Sequence, residues 1–282
     1  MEFNNKDKTE CLNGGTQCTP SNVIKEIAKE LNNNAIDNKP LVQSIDKELK
    51  NDKHQTNGEL TKLKDTLNCE SESCVINSEE VKNAIGEDKS EEILERYFKP
   101  EGPRNNDNLL NNFNIDDVLE SWKRDHPGFY HVFYQMIDFD IVKTELATLD
   151  IVTISKSYDS LGVVLNTDVS TGGGIHWFAL YCDFKTKPLQ LEYFNSSGNL
   201  PRKEVQIWLA RNKRTLLDAG MQCEVINAAR IAHQQDSETE CGPYSLYYIK
   251  SRLNGVPAEQ FNKKRIPDAK MLEFRQTLFR HE

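Results

Sequence analysis

The chain has 282 residues, 37% of them apolar and 28% charged, with a formal net charge of −9. That length holds one or two domains with a core of their own. The acidic balance argues against nucleic acid or an anionic membrane surface as the main partner.

The start, Met1 to Lys8, has no apolar run of the signal-peptide kind. The densest apolar stretch, Trp177 to Cys182, is far too short to cross a bilayer. An intracellular protein without membrane insertion is therefore expected. The seven cysteines (11, 18, 69, 74, 182, 223 and 241) are an odd set, so at least one has no partner within the chain. An intracellular setting favours free thiols. Cys11 and Cys18 with Cys69 and Cys74 can be drawn as a four-thiolate zinc site, but neither pair has the usual two-residue gap. Unremarkable thiols are expected, and no metal is assigned.

Residues 1–100 read as a helical arm of short amphipathic helices. Val23, Ile24, Ile27 and Leu31 stand at helical spacing after Ser21, a candidate N-cap. Leu41, Ile45 and Leu49 repeat the pattern after Pro40, and Leu60, Leu63 and Leu67 do so again. Ser78-Glu79-Glu80 opens a helix with Val81 and Ile85, and Ser90-Glu91-Glu92 opens one with Ile93 and Leu94. This arm carries 14 basic against 20 acidic side chains, so most of the chain's acidity lies on a solvated helical module.

Glu101 to Asn112 reads as a linker or exposed crossing loop. The second domain, 101–282, opens with a helix over Ile115–Trp122, with Asn114 available as its N-cap. From about residue 160 the texture becomes β-like. Leu161–Asn166 is a strand, Thr171-Gly172-Gly173-Gly174 a turn, Ile175–Phe184 a strand, and Leu189–Asn195 a strand with Leu189, Leu191 and Tyr193 on one face. The last two form an antiparallel hairpin. Pro201 starts a helix with Val205, Trp208, Leu209 and Leu216 inward, and Gly220 ends it. Cys223–Ile226 is a short strand, and Cys241-Gly242-Pro243 opens a helix to about Leu253. The class is α+β: a central, mostly antiparallel sheet flanked by helices.

Four side chains suggest chemistry. Cys241 stands where a loop becomes a helix, and the unpaired N–H groups there favour a thiolate. Alone, such a cysteine reads more readily as core packing. His176, at the mouth of a strand, can move a proton near neutral pH. Asn195 ends the next strand, where the hairpin brings it beside His176, and its amide oxygen can accept the ring's Nδ1–H and fix the tautomer. Asp168, Asp183 and Glu192 are rival carboxylates. Asp183 lies on the wrong side of the hairpin turn, and Glu192 faces away from Asn195. Gln235, six residues before Cys241, can donate to a developing oxyanion with the Cys241 N–H; Gln234 can exchange roles with it. Trp177, next to His176, is a candidate wall of the substrate site. The glycine turn lacks the Gly-Lys-Ser/Thr ending of a phosphate loop, and the basic run Arg211-Asn212-Lys213-Arg214 reads as a solvated helix face.

The order His176-Trp177, Asn195, Gln235, Cys241-Gly242 resembles the superfamily of ubiquitin-like-protein-specific and adenovirus proteases. Cellular members usually carry Asp where this chain has Asn195. Val164-Leu165-Asn166-Thr167-Asp168, Glu192-Tyr193-Phe194-Asn195-Ser196, Thr239-Glu240-Cys241-Gly242-Pro243 and Glu70-Ser71-Glu72-Ser73-Cys74 are similar to the polyprotein-processing cysteine proteases of the African swine fever virus type, which also have Asn as third member. The resemblance implies an adenovirus-protease-like core and a helical N-terminal arm. It also implies cleavage of viral structural polyproteins after Gly-Gly, and residence in the viral factories of the host cytoplasm and in the virion. It implies no small-molecule cofactor. Removal of SUMO- or ubiquitin-like modifiers, which share the Gly-Gly terminus, is the competing activity. A catalytically inactive module that binds Gly-Gly tails is the competing non-enzyme.

Overall fold

The structure is a computed structural model and describes residues 9–12, 14–34, 56–103 and 108–280. These fall into two compact units: Gly102–Leu278, and the residues up to Glu101 joined by Phe279 and Arg280.

The N-terminal unit is helical: α1 Ser21–Asn34, α2 Thr56–Leu67, α3 Glu72–Asn77, α4 Glu79–Ile85 and α5 Glu87–Tyr97. Ile24, Ile27, Leu60, Leu63, Val81 and Ile93 meet in one core, as their helical spacing requires. The helix expected from Leu41, Ile45 and Leu49 lies outside the described residues. Ser78 caps α4 through the Val81 N–H. Ser90 does not start a helix: α5 begins at Glu87, after Gly86 turns the chain at φ 93°, and Ser90 donates its hydroxyl to the Ile76 carbonyl.

The expectation of free thiols in this unit is overturned. Cys11 pairs with Cys18 and Cys69 with Cys74, with Cα–Cα distances of 4.8 and 5.5 Å, inside the range a disulfide spans. Short turns bring each pair together, and the compartment argument carries no information about such local closeness. Cys182, Cys223 and Cys241 remain free. Glu10, Cys18 and Glu72 cluster closely, but their atoms are engaged. Glu72 accepts the Cys18 and Thr19 N–H groups, and Glu10 those of Glu72 and Ser73.

The second unit contains α6 Asn112–Trp122, β1 Phe129–His131, β2 Gln135–Met136, α7 Glu145–Thr148, α8 Ile151–Ser157, β3 Ser160–Asn166, β4 Trp177–Asp183 and β5 Leu189–Phe194. It continues with α9 Lys203–Asp218, β6 Cys223–Asn227, α10 Cys241–Leu253 and α11 Asp268–Leu278. The N-cap of α6 is Asn111; Asn114 stands three residues on and completes a reciprocal capping box with it.

The sheet runs β1-β3-β4-β5-β6, with β2 also paired to β3. Its centre, β3-β4-β5, is antiparallel. Its flanks are parallel, because α9 carries the chain across to β6 and α7 and α8 carry it back to β3. The class is α+β, as expected, with a mixed sheet. Leu161, Val163, Phe178, Leu180, Leu191 and Tyr193 face α7, α8 and α9. The alternate residues face α10: Phe194 stacks on Tyr248 with centroids 4.5 Å apart. With both faces covered, every residue of β4 is buried. Two of the three rival carboxylates belong to this packing. Arg252 of α10 binds Glu192 and Asp183 at 2.8 and 2.9 Å, and Tyr248 donates to Glu192. Among the described residues no helix is long and apolar enough to cross a membrane.

Candidate active site

Cys241 is the first residue of α10, and its N-cap, Glu240, makes no side-chain cap bond. The cysteine is therefore set at the unpaired end of the helix. The side chain is buried, and burial pushes the thiol up. The backbone N–H groups of Trp177, Gly242 and Cys241 itself pull it down, and the Glu240 carboxylate pushes it further up. Gly242 packs closely: a Cβ there would stand 3.2 Å from the Leu110 Cβ. Pro243 falls among the first helical residues, whose N–H groups have no helical partner.

His176 stands just before β4, which starts two residues later than the sequence pattern suggests. Its carbonyl still accepts the Thr167 N–H. The ring's Nε2 meets Asn195 Oδ1 at 2.7 Å. The expected contact was through Nδ1. The hairpin presents the far edge of the ring to Asn195, so Nδ1 is the nitrogen left for the thiol. Asn195 follows β5 and is buried. Its Oδ1 also accepts the Ser197 N–H and hydroxyl, and its Nδ2 donates to the Tyr193 hydroxyl. These donors identify the atom facing His176 as oxygen, so Nε2 carries the proton. Burial holds the imidazole below its ordinary pKa, and the Asn195 bond opposes that.

Among the described residues no hydrogen bond joins the His176 ring to the Cys241 sulfur. The backbone N–H of Trp177, the residue after His176, favours the thiolate form of Cys241. Such contacts commonly tighten only when substrate binds.

A cleft of about 270 Å³ leads to Cys241, lined by Leu110, Tyr134, Asn166, Gly173 and Trp177 among others. Trp177 is a wall of this cleft. Its Nε1 donates to the Leu110 carbonyl at 2.9 Å, and its ring meets Tyr134 edge-on at 6.2 Å. The glycine turn forms another wall, held by Asp168, which accepts the Gly174 N–H, and by Asn166, which accepts that of Ile175. This gives Asp168 a structural task in place of a catalytic one.

Gln234 and Gln235 are told apart by their partners. The Gln234 amide is engaged at both ends: Ser196 Oγ donates to its oxygen, and it donates to the Ser237 carbonyl at 2.6 Å. Gln235 is exposed and makes no side-chain hydrogen bond to another described residue. It does not line the cleft at Cys241.

Sequence reasoning missed a clamp beside Cys241. Arg275 of α11 is buried and binds the Glu240 carboxylate at 2.9 Å, the Thr239 carbonyl at 3.0 Å and the Asn108 carbonyl at 2.6 Å. It thus ties the residue before Cys241 to the segment that carries Leu110. The only sequence signal was an arginine on the apolar face of a helix.

The chain is similar to known proteins. Residues 144–282 match the model for the Ulp1 protease family, C-terminal catalytic domain. A SUMO-1 cysteine protease of African swine fever virus is 42% identical over 234 residues, covering 77% of this chain and 85% of the relative. A cysteine protease from another strain of that virus is equally similar. The crystal structure of an African swine fever virus protease superposes with a TM-score of 0.76 at 32% identity, covering 98% of this chain and 97% of the other.

Proposed function

The chain belongs to the Ulp1 protease family and is a cysteine-type peptidase, and on that footing we propose that it is an endopeptidase cleaving viral structural polyproteins after Gly-Gly. The observation that carries the reading is the cleft at Cys241. It is walled by Trp177, Tyr134 and a run of glycines, and its modest volume suits an extended peptide without side chains. In the proposed reaction His176 takes the thiol proton as Cys241 attacks the carbonyl carbon. Asn195 holds the ring. Gln235 and the Cys241 N–H stabilise the oxyanion. His176 then gives its proton to the departing amine, and water, deprotonated by the same ring, releases the acyl group. The same reading puts the enzyme in the viral factories of the host cytoplasm and in the virion, with the helical unit as its N-terminal arm.

The test is turnover of Gly-Gly-Xaa peptides beside peptides with Ala or Leu at the two positions before the cut. Equal rates would sink the Gly-Gly reading. A second reading, removal of SUMO-like modifiers, has support in the name of the 42% identical relative, a SUMO-1 cysteine protease. A SUMO conjugate assayed beside the peptide separates the two. Full cleavage by Cys241→Ser would refute both.

A further inference from the structure

We infer that Asp268 is a positioning residue for the oxyanion site: its carboxylate gathers the loop that carries Gln235 and fastens it to the first turn of α10.

Three successive backbone N–H groups, those of Gln235, Asp236 and Ser237, converge on a single oxygen, Asp268 Oδ2, at 3.3, 3.0 and 3.1 Å. Convergent amides of this kind form a nest that wants an anion at its centre, and here the chain supplies its own. The other oxygen, Oδ1, lies 2.8 Å from the Tyr244 hydroxyl. Tyr244 is buried on α10, three residues after Cys241. One carboxylate therefore spans from the residue proposed to bind the oxyanion to the helix that carries the nucleophile. Burial works against the charge of Asp268, but the loop N–H groups and the Tyr244 hydroxyl outweigh it and hold the carboxyl below its ordinary range.

The need for such an anchor follows from the loop itself. Residues 234–240 contain no helix or strand, and Gln235 is exposed. An oxyanion donor contributes only if it is in place before the charge develops. Gln234 secures the loop on the Asn195 side through Ser196. Asp268 secures it on the side of α11. Arg275, seven residues further along the same helix and so on the same face, holds Glu240. α11 thus grips both ends of the segment between Gln235 and Cys241.

The inference rests on Gln235 as oxyanion donor, and the experiment separates the two. Gln235→Ala, Asp268→Ala, Asp268→Asn and the Gln235→Ala/Asp268→Ala pair are measured for kcat and KM on a Gly-Gly-Xaa peptide. Each is also measured for Cys241 alkylation by iodoacetamide, which forms no oxyanion. Asp268→Ala is expected to lower kcat about 10- to 100-fold, below the 10²–10³ for loss of a whole donor, with KM and alkylation little changed. Asp268→Asn keeps an acceptor for the loop and restores part of kcat. In the Gln235→Ala background, loss of Asp268 costs less than threefold, because the two act as a unit. A normal kcat in Gln235→Ala overturns the oxyanion reading. With Gln235→Ala impaired, a normal kcat in Asp268→Ala overturns the positioning role. Additive losses in the pair, or slowed alkylation, overturn it too, because Asp268 then acts on the fold or on the thiol.

Discussion

Asn195→Ala tests the division of labour in the proposed mechanism most directly. The substitution removes the acceptor 2.7 Å from His176 Nε2. Once the ring takes the thiol proton, that bond is made by a charged donor, and losing a hydrogen bond to a charged group costs about 1.5–3 kcal/mol. At about 1.36 kcal/mol per decade of rate, kcat/KM falls about 10- to 150-fold. His176→Ala removes the base itself, worth about 10²–10⁴. It belongs at the upper end, since a thiol that burial pushes up has no other nearby proton acceptor in the mechanism. The Ser197 N–H and hydroxyl also lose their acceptor, but Ser197 is half-buried and water can replace it. The stability cost is then about 1 kcal/mol, a melting shift of about 2–4 °C. Peptide turnover beside a thermal melt separates chemistry from folding. The pH profile adds a signed test. His176 must be neutral to act as base, burial already holds its pKa below the ordinary imidazole value, and the Asn195 bond opposes that. The wild-type acid limb therefore lies below about pH 6.5, and the variant's lies lower still. If Asn195→Ala melts normally yet is as inactive as His176→Ala, or its acid limb moves up, the reasoning fails.

Gly242→Ala gains about 1 kcal/mol of helix propensity but drives a Cβ to 3.2 Å from Leu110. Overpacking costs about 1–3 kcal/mol, so a lower melting temperature and slower peptide cleavage are expected together. Reducing the disulfides removes closures seven and five residues apart, each worth about 2 kcal/mol on a chain-entropy estimate. Limited proteolysis with and without reductant should show faster cutting within residues 56–103; an unchanged fragment pattern counts against a stabilising role. Arg252→Met leaves Glu192 buried without its cationic partner and should cost about 3–5 kcal/mol in chemical denaturation. Much of that should return when Glu192→Gln is added.

The sequence made legible the parts governed by local rules. The hairpin of β4 and β5 and the helices α9 and α10 follow from alternation, turns and helical spacing. The order of His176, Asn195 and Cys241 follows from where those elements begin and end. β1 and β2 were illegible because strands of three and two residues have no period to detect; they exist because β3 offers them an edge. The disulfides were missed because compartment is a poor guide to whether a turn brings two sulfurs together. The supports of the site were missed for another reason. Nothing local in the sequence says what Asp268 and Arg275 bind, because their partners lie 24 to 167 residues away. Only the folded chain shows that they hold backbone and side-chain groups around Cys241.

The neutral third member is consistent with the burial of the pair it serves. Burial pushes the Cys241 thiol up and the His176 ring down, so each is biased toward its uncharged form. A carboxylate at position 195 would place another charge where the residue is 3% exposed, and it would favour the imidazolium. The Asn195 amide supplies direction without charge. It accepts Nε2–H, which leaves an unprotonated Nδ1 for the thiol. In the proposed mechanism the proton then moves as Cys241 attacks, and the negative charge passes from sulfur to the carbonyl oxygen. Stabilisation is needed there, at the oxyanion, more than at the resting thiolate. In that mechanism the placement of the Gln235 loop, and with it the hold of Asp268, is a larger share of catalysis than it would be where a carboxylate sustains a resting ion pair.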